Sequence, residues 1–353
     1  MSKILNRYIA QYFLQWVGIV VLAMIGLAVM GGFVENLKLM QKIGGSTPQA
    51  LLLTIYGVPQ LVPSLAPFIF LFASLIAFMR LNESQAIAVL RSAGQSVWQF
   101  TFPALLTTLI LAIITITLID PLAARSAHLR DQLENQILGR DDQLNILSTG
   151  VWIRLRQESG HYLIRGQFVS DPTTLQLKGV DVFHYGTDHK LHEHIIGEKA
   201  ILKDNVWTIE TDKGAREILS LDPLSLESLR DRLFSAHALP VWRLPSQISS
   251  GEKAGLDMTQ YRLRFHTLLA LPFFCVFMVL IAIAFSIPRG RLASTGRTIA
   301  TAIMLGFGAY AGSQLVSKIA QLSLLPVAAA AWIPTLVLLL LSVSILIERE
   351  ERG

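Results

Sequence analysis

Six runs of the sequence carry no charged residue and are each long enough to cross a lipid bilayer. A transmembrane helix needs about 20 consecutive, mostly apolar residues, so each run predicts one span. The first run is far longer than the roughly 7–15-residue core of a signal peptide, and we expect it to remain as an anchor. The chain is 52% hydrophobic and 16% charged, too apolar for an ordinary soluble protein. The predicted spans are residues 8–34, 51–79, 92–119, 267–288, 298–317 and 319–347.

The basic residues beside these spans predict the orientation of the chain, because Lys and Arg in short loops accumulate on the cytoplasmic side. Three of them flank the outer ends of spans if the N-terminus is cytoplasmic: Lys38, Lys42 and Lys318. Nine then lie on the cytoplasmic side: Lys3, Arg7, Arg80, Arg91, Arg289, Arg291, Arg297, Arg349 and Arg352. The majority predicts cytoplasmic N- and C-termini and an outer, periplasmic location for the long segment between the third and fourth spans.

The net charge of +5 does not indicate nucleic-acid binding, since the basic residues are spread over membrane flanks and not gathered in one patch. The single cysteine, Cys275, lies inside the fourth predicted span. The chain therefore forms no intramolecular disulfide and no cysteine metal site, and we expect folding to rest on packing alone.

The segment between the third and fourth spans, residues 120–265, has the composition of a globular domain. Its first part, "ARSAHLRDQLENQIL", has apolar residues at near-helical spacing, which predicts that the third span continues as a helix. The rest contains short β-branched and aromatic segments separated by turn residues such as "LKDNVW" and "TDKGAR", the pattern of an all-β sandwich or jelly roll.

The predicted fold class is therefore an α+β membrane protein, in which six transmembrane helices hold a periplasmic β-jellyroll domain inserted between helices 3 and 4. Three parts are expected along the chain: residues 1–125 with the first three spans, residues 126–260 with the β domain, and residues 261–353 with the last three spans.

Two of the spans carry signals of close packing. Pro59, Pro63 and Pro67 stack on one side of the second span and remove backbone donors there, so this helix either packs deep in the bundle or lines a cavity. In the fifth span, Gly308 and Gly312 form a GxxxG spacing, which lets two helix backbones approach closely. Packing within the chain and a contact between subunits both explain that spacing.

Motifs for catalysis or for coupled ion transport are not evident. The interiors of the spans carry no charge, which argues against proton- or ion-coupled transport. The sequence has no GxxxxGK[ST], GxSxG or HExxH, so any ATP must be bound by another subunit. The stretch "HKLHEH" places His189, His192 and His194 close together, but a polar hairpin edge explains it better than a metal site. We expect no cofactor and no catalytic residue.

A short charged stretch, "RLNESQAIAVLRSAGQS", separates the second and third spans on the predicted cytoplasmic side. Asn82 is suited to cap a helix start, and Gly94 is suited to end the helix. Between them, Ile87 and Leu90 share an apolar face, while Gln85 and Arg91 lie on the opposite face. Either an ATPase binds this amphipathic helix of residues 82–94, or the helix rests on lipid head groups.

The whole chain resembles the permease family LptF/LptG of lipopolysaccharide export. The resemblance rests on "LNRYIAQYFL" and "GGFVENL" around the first span, the proline-rich second span, and "AVLRSAGQS". It also rests on "DPLAARSAHLR" after the third span, "GVWIR" at the start of the β domain, and "LPVAAAAWIPTLV" in the last span. In that family, three spans precede and three follow a periplasmic β-jellyroll domain.

The resemblance implies a bacterial inner-membrane location and a set of partners. These are a second, LptF-type permease as heterodimer partner, an LptB-type dimer of cytoplasmic ATPases, an LptC-type bitopic jellyroll protein and an LptA-type periplasmic bridge. ATP-driven closing of the permease dimer would move lipopolysaccharide from the outer leaflet of the inner membrane into a chain of jellyroll domains.

The resemblance also assigns residues, with two departures from the family pattern. Residues 82–94 would be the coupling helix, whose contacts with the ATPase are expected from Glu83, Ala86, Arg91 and Gly94. The usual coupling carboxylate falls on Ala86, so Glu83 is expected to replace it. The lysine often found before "FV" in the first span is Gly32 here.

We expect the lipid's phosphates to be met instead by the cations of the outer rim, Lys38, Lys42 and Lys318. Plain interfacial anchoring by these side chains is an equal alternative.

Two other classes of function are open to a chain of this kind. One is a membrane-anchored scaffold that recruits partners through its β domain and transports nothing. The other is an integral membrane hydrolase, for which the sequence offers no triad or catalytic carboxylate. Binding of an ATPase to residues 82–94 separates a permease from a scaffold, and substitution of His189, His192 and His194 tests the hydrolase.

Overall fold

The computed structural model describes residues 3–137, 144–147, 150–157, 160–170, 175–186, 191–203, 206–211, 214–219, 239–253, 258–286, 295–322 and 325–351. Its α-helices are α1 (Lys3–Ile43), α2 (Thr47–Glu83), α3 (Ala86–Ser92), α4 (Val97–Ile114), α5 (Asp120–Ile137), α6 (Leu244–Lys253), α7 (Thr259–Ser286), α8 (Thr295–Gln321) and α9 (Val327–Glu351). A π-helical turn, Thr115–Ile119, joins α4 to α5, and a short 3₁₀ turn, Val241–Arg243, precedes α6.

Six helices of the described residues are long and apolar enough to cross a membrane, as predicted. The third is built from α4, the π-helical turn and most of α5, and it runs from Val97 to Glu134. The prediction that this span continues as a helix is confirmed, since α5 extends to Ile137. The spans are Ile4–Lys42, Thr47–Glu83, Val97–Glu134, Thr259–Ser286, Ile299–Gln321 and Val327–Glu348.

Two of the spans begin with the same local signal. Ser46 precedes α2 and Ser96 precedes α4, and each is followed three residues later by a glutamine. The Gln49 side-chain oxygen accepts the backbone N–H of Ser46 at 2.7 Å, and that of Gln99 accepts the N–H of Ser96 at 3.3 Å. These capping boxes satisfy N–H groups that have no partner at the start of a helix.

The spans differ in how deeply they are buried in this chain. The second and fourth spans, α2 and α7, are the most buried, whereas the first and fifth, α1 and α8, expose most of their apolar surface. Helix α2 runs without interruption through Pro59, Pro63 and Pro67, and Pro67 itself is buried. Of the two predicted explanations for this proline series, the structure favours deep packing. The core between α2, α7 and α8 consists of Leu71, Leu75, Phe274, Phe277, Met278, Ile281, Ala282 and Ala302.

The glycines of α8 divide into packed and open positions. A Cβ on Gly306 would lie 2.6 Å from Leu71 Cδ2, so only glycine fits there without a shift of the core. A Cβ on Gly308 or Gly312 would meet no described atom within 4 Å. The GxxxG pair therefore does not mediate packing among the described residues of this chain.

The residues between the third and fourth spans include one antiparallel sheet of seven described strands. They are β1 (Leu144–Leu147), β2 (Gly150–Gln157), β3 (Gly160–Ser170), β4 (Leu175–Gly186), β5 (Leu191–Lys203), β6 (Val206–Thr211) and β7 (Gly214–Leu219). Each strand pairs with the next in chain order, so these strands form a meander without the crossovers of a Greek key. The prediction of an α+β membrane protein with an inserted β domain is confirmed.

The two predicted hairpins are found at the expected places. Strands β5 and β6 pair up to Lys203 and Val206, within "LKDNVW". Strands β6 and β7 pair up to Thr211 and Gly214, and Gly214 has a φ of 119°. The Thr211 hydroxyl donates to the Gly214 carbonyl at 2.7 Å and so links the end of β6 to the start of β7.

By their contacts, the residues form two compact units. One comprises Met1–Arg130, His237–Leu244 and Tyr261–Gly353, and contains the spans. The other comprises Asp131–Ala236 and Pro245–Gln260, and contains the sheet. The short return of the chain to the membrane unit at residues 237–244 has no counterpart in the expected three-part division, which stays a prediction.

Candidate functional site

Helix α3 connects the second and third spans, and a left-handed residue stands at each of its ends. Gln85, just before the helix, has a φ of 60°, and Gly94, just after it, has a φ of 77°. The N–H of Gly94 donates to the Arg91 carbonyl at 2.9 Å, and that of Gln95 donates to the Leu90 carbonyl at 3.1 Å. This is the Schellman arrangement that ends a helix at a glycine, so the prediction that Gly94 ends the helix is confirmed.

The start of α3 differs from the prediction, which placed it at Asn82. Asn82 and Glu83 form the end of α2, and α3 begins only at Ala86. The reason is Leu81, which is buried and keeps the last turn of α2 packed in the bundle. The chain therefore turns at Ser84 and Gln85, and Asn82 caps no helix start.

The four residues predicted for docking lie on two helices and a cap. Glu83 and Gly94 are exposed, whereas Ala86 and Arg91 are half-buried. Ile87, only 3% exposed, anchors α3 to the bundle, while Val89 points outward with 65% of its surface exposed. Helix α3 is therefore anchored to the bundle on one side and exposed on the other.

Two openings lie near helix α3. An open cavity of about 240 Å³ is lined by the start of α1, the end of α2, α3 and α4, and its wall is apolar. A second opening of about 190 Å³ lies between the end of α2 and the start of α8. Glu83 and Arg80 line this second opening together with Ile299 and Ile303. The predicted coupling carboxylate thus faces a cleft between two spans.

The three lysines of the predicted outer rim lie at the end of the bundle away from α3. Lys38 and Lys42 belong to the last turns of α1, whose first residues line the cavity under α3. Lys318 belongs to the last turn of α8, which starts beside the end of α2. All three side chains are exposed.

Near this rim, the contact between α1 and α2 is polar. The buried Asn36 side-chain amide donates to the Thr54 hydroxyl at 2.9 Å, and that hydroxyl donates to the Ala50 carbonyl at 2.8 Å. Gly32 packs on the same threonine, since a Cβ on it would lie 3.4 Å from Thr54 Cγ2. The position where the family often has lysine is therefore used here for close helix packing.

A further cation reaches this region from α5. Arg130 lies over Gly57 of α2, where a Cβ on the glycine would be 3.2 Å from Arg130 Nη1. Gly57 is one helical turn from Thr54, so both face the same side of α2. Arg130 is half-buried. The sequence analysis did not single it out, because nothing in the linear pattern shows that α5 packs on a glycine of the second span.

The sheet has one apolar, buried face. The register aligns Ile164 with Val182, and Leu177 with Ala200 and Ile209. These side chains are fully buried, as is the large ring of Trp207. Since successive side chains of a strand point to opposite faces, the sheet buries one side-chain set and exposes the other.

A charged pair and two aromatic rings lie near one end of this sheet. The Tyr162 ring stacks on His184 with centroids 4.2 Å apart, and Arg216 Nη1 donates to Glu193 Oε1 at 2.6 Å. The bond from Arg216 lowers the pKa of the Glu193 carboxyl, while partial desolvation opposes this shift. The same bond raises the pKa of the Arg216 guanidinium.

The histidine stretch is part of β5, except for His189, which lies outside the described residues. His194 Nε2 is 3.2 Å from Asp181 Oδ1 and its ring stacks on Phe183, whereas the His192 ring lies 6.0 Å from His184. Phe183 and His184 are consecutive residues of β4, so the two histidines have neighbours on opposite faces. In the described part of the chain, no three His, Cys, Asp or Glu side chains are grouped to hold a metal ion.

Three spans on either side of an inserted β domain, and a short anchored helix between spans 2 and 3, define a polytopic membrane protein with an inserted β domain. The sequence profile of the family "Lipopolysaccharide export system permease LptF/LptG" matches residues 7–348, and the chain belongs to this family. It is 24% identical over 358 residues to the "Lipopolysaccharide export system permease protein LptG" of Haemophilus influenzae, with 97% of each chain covered. The protein is thus a multi-pass inner-membrane permease of lipopolysaccharide export, and the resemblance stated from its motifs is confirmed.

Proposed function

We propose that the chain is one permease subunit of an ABC exporter that extracts lipopolysaccharide from the inner membrane and passes it to its own periplasmic β domain. The observation that carries the ATP-driven part is α3, an anchored helix between two spans with an exposed outer surface. A partner that pushes on such a helix moves the two spans on either side of it. The chain itself has no nucleotide-binding motif, so the ATPase is a separate, LptB-type subunit.

The contact with that ATPase is expected at α3 and at the adjoining end of α2. Arg91 and Gly94 belong to α3 and its cap, and Ala86 is its first residue. Glu83 supplies a carboxylate from α2, one turn from Arg80. Binding of a cytoplasmic ATPase at α3 requires this end of the bundle to face the cytoplasm. Both termini are then expected in the cytoplasm and the β domain in the periplasm, in agreement with the distribution of basic residues.

The second, LptF-type permease is expected to cover the first and fifth spans. These two spans are the least buried, and the open glycine pair, Gly308 and Gly312, lies on the fifth. Small residues let the backbones of two transmembrane helices approach closely. A heterodimer contact explains a GxxxG that packing among the described residues does not use.

Capture of the lipid is expected at the rim opposite α3. Lys38, Lys42 and Lys318 offer exposed ammonium groups, and Arg130 offers a guanidinium held against Gly57. Charge-assisted bonds from such groups to phosphate are strong, and an arginine can form two at once. The acyl chains would then follow the apolar face of the sheet toward an LptC-type jellyroll and an LptA-type bridge.

Site-specific photocrosslinking in membranes tests this function. A photoreactive amino acid is placed at Glu83, Ala86 or Arg91, and at Leu322 as a control. Leu322 is 71% exposed, more than the half-buried Ala86 and Arg91, and it follows the end of α8, on the opposite side of the bundle. We expect an ATPase adduct from the first three positions and none from Leu322.

Each outcome points to one of the functions considered. An ATPase adduct restricted to the α3 end makes α3 a coupling helix. Adducts with lipid alone would contradict the proposal and favour the membrane-anchored scaffold, which has no reason to bind an ATPase there.

A further inference from the structure

Asp120 is a buried carboxylate at the junction of the π-helical turn and α5. Its side chain is 2% exposed. Asp120 Oδ1 accepts a hydrogen bond from Arg264 Nη2 at 2.7 Å, and Oδ2 accepts one from the backbone N–H of Val241 at 2.7 Å. The two partners are 144 and 121 residues away in the chain. One carboxylate therefore joins three distant segments of the membrane unit, and we name this arrangement the Asp120 clamp.

The helical geometry places Asp120 in this position. In the π-helical turn, the N–H of Asp120 bonds to the carbonyl of Thr115, five residues back. Such a turn holds one residue more than an α-helical turn, which rotates everything after it by about 100° around the helix axis. Without that extra residue, the carboxylate would point to another side of the third span.

Both partners of the clamp are also fixed in place. Val241 is 4% exposed and Leu244, three residues on, is fully buried, so these two residues pack into the membrane unit. The Arg264 side chain is 11% exposed and sits in the first turns of α7, beside the buried Leu263. Loss of either bond would leave one oxygen of the buried Asp120 carboxylate without that donor, so the clamp favours one geometry.

The three segments are the ones that lead into and out of the β domain. The chain leaves the membrane unit after Arg130, returns at residues 237–244, leaves again, and returns for good at Tyr261. Asp120 precedes the first exit, Val241 lies in the intermediate return, and Arg264 follows the last return. Every passage between the two units is thus flanked by a member of the clamp.

We propose that Asp120 is a positioning residue for substrate transfer, with Arg264 and the Val241 N–H as its partners. The clamp holds the connections of the β domain to the ends of the third and fourth spans, so that a movement of these spans is passed to the β domain. This inference rests on the proposed transport function. It predicts that breaking the clamp separates ATP hydrolysis from lipopolysaccharide transfer.

Two variants break one bond each. Val241→Pro removes the N–H donor at low backbone cost, because Pro240 already has φ −66° and ψ 150°, the conformation that suits a residue before proline. Proline is also tolerated at the first position of a helical turn. Its control is Val241→Ala, which shortens the side chain and keeps the N–H. Arg264→Gln removes the ion pair, and its control is Arg264→Lys, which keeps the charge.

The readouts are assembly of the complete exporter, its ATP hydrolysis, and the lipopolysaccharide transferred to a soluble acceptor per ATP hydrolysed. With both variants we expect assembly and hydrolysis within about twofold of wild type, and transfer per ATP lower by about tenfold, a typical factor for the loss of coupling between two sites. Val241→Ala should stay close to wild type, and Arg264→Lys should lie in between.

Two results would overturn the proposal. Unchanged transfer per ATP in both variants would show that the clamp carries no motion. Loss of assembly, or an equal loss of hydrolysis and transfer, in both variants would reduce the clamp to a structural contact. Failure of the transport function itself shows differently, since the wild-type complex would then transfer no lipopolysaccharide.

Discussion

At the residue scale, a few positions have a conformation or a partner that sets their role. Gln85 has a left-handed backbone at the start of α3, where glycine would be unstrained. Glu193 has its carboxylate held by Arg216 in the β domain. Sequence reasoning found Gly94 because glycine after a helix is a strong signal, but it placed the helix start at Asn82. A left-handed glutamine has no signature in the sequence.

Substitution of Gln85 by glycine should stabilise the protein. A non-glycine residue in the left-handed region costs about 1–2 kcal/mol, and glycine removes most of that cost while adding some backbone entropy. We expect a net gain of about 0.5–1 kcal/mol, seen as a higher midpoint of thermal unfolding in detergent. The matched control is Ser84→Gly, because Ser84 has a φ of −76° and relieves no strain. A midpoint that falls equally in both variants would contradict the assignment of strain to Gln85.

The Glu193–Arg216 pair should stabilise the protein only above acidic pH. The pKa of Glu193 is lowered from its ordinary 4.5 in the folded state, so its stabilisation is present above that value and is lost as pH falls through the folded pKa. Both side chains are partly exposed, so the effect is at most about 1 kcal/mol. Glu193→Gln should therefore lower the denaturation midpoint at pH 7 and have a smaller effect at a pH well below 4.5. An equal effect at both pH values would contradict this explanation.

At the element scale, the spans and strands were predictable, but their contacts were not. Charge-free runs and alternating β-branched segments identify elements because they follow from what lipid or a sheet face requires. The Asp120 clamp could not be predicted from the sequence, because its members are far apart in the chain. The available signal was an acidic residue directly after the third run and a basic residue just before the fourth. The pairing of Arg130 with Gly57 also depends on tertiary packing alone.

The glycines of α8 should separate packing within the chain from packing between subunits. Gly306→Val forces a branched side chain against Leu71 and Met278 in the core, which costs about 1–3 kcal/mol as overpacking. Gly308→Val, two residues on, meets open space and should leave the stability of the isolated subunit within about 0.5 kcal/mol. Thermal unfolding of the purified subunit measures the first effect.

The same pair of variants probes the second permease. If α8 packs on the partner through Gly308 and Gly312, Gly308→Val should lower the yield of heterodimer recovered by affinity purification, although the subunit itself stays folded. Recovery equal to that of wild type would place the contact on another face of the subunit.

At the scale of the whole molecule, the chain combines a membrane bundle with a sheet that buries one apolar face. The bundle has the short helix α3 at one end and three exposed lysines at the other. The helix was expected from its amphipathic pattern, and the lysines from the distribution of basic residues. Family membership supplies the substrate, lipopolysaccharide, which no motif of the sequence reveals by physical reasoning alone. The central claim is that ATP drives this lipid onto the apolar face of the sheet.

Adjacent residues of β5 offer the most direct test of that claim. Ile195 is paired with the buried Val182 on the apolar face, whereas the next residue, Ile196, is 70% exposed on the other face. A photoreactive amino acid is placed at either position in the complete exporter, and lipopolysaccharide adducts are measured with and without ATP. We predict an ATP-dependent adduct at residue 195 that exceeds the one at residue 196 by about tenfold, since the side chains point to opposite faces. Equal adducts at both positions, or an adduct at residue 195 that does not depend on ATP, would contradict the account.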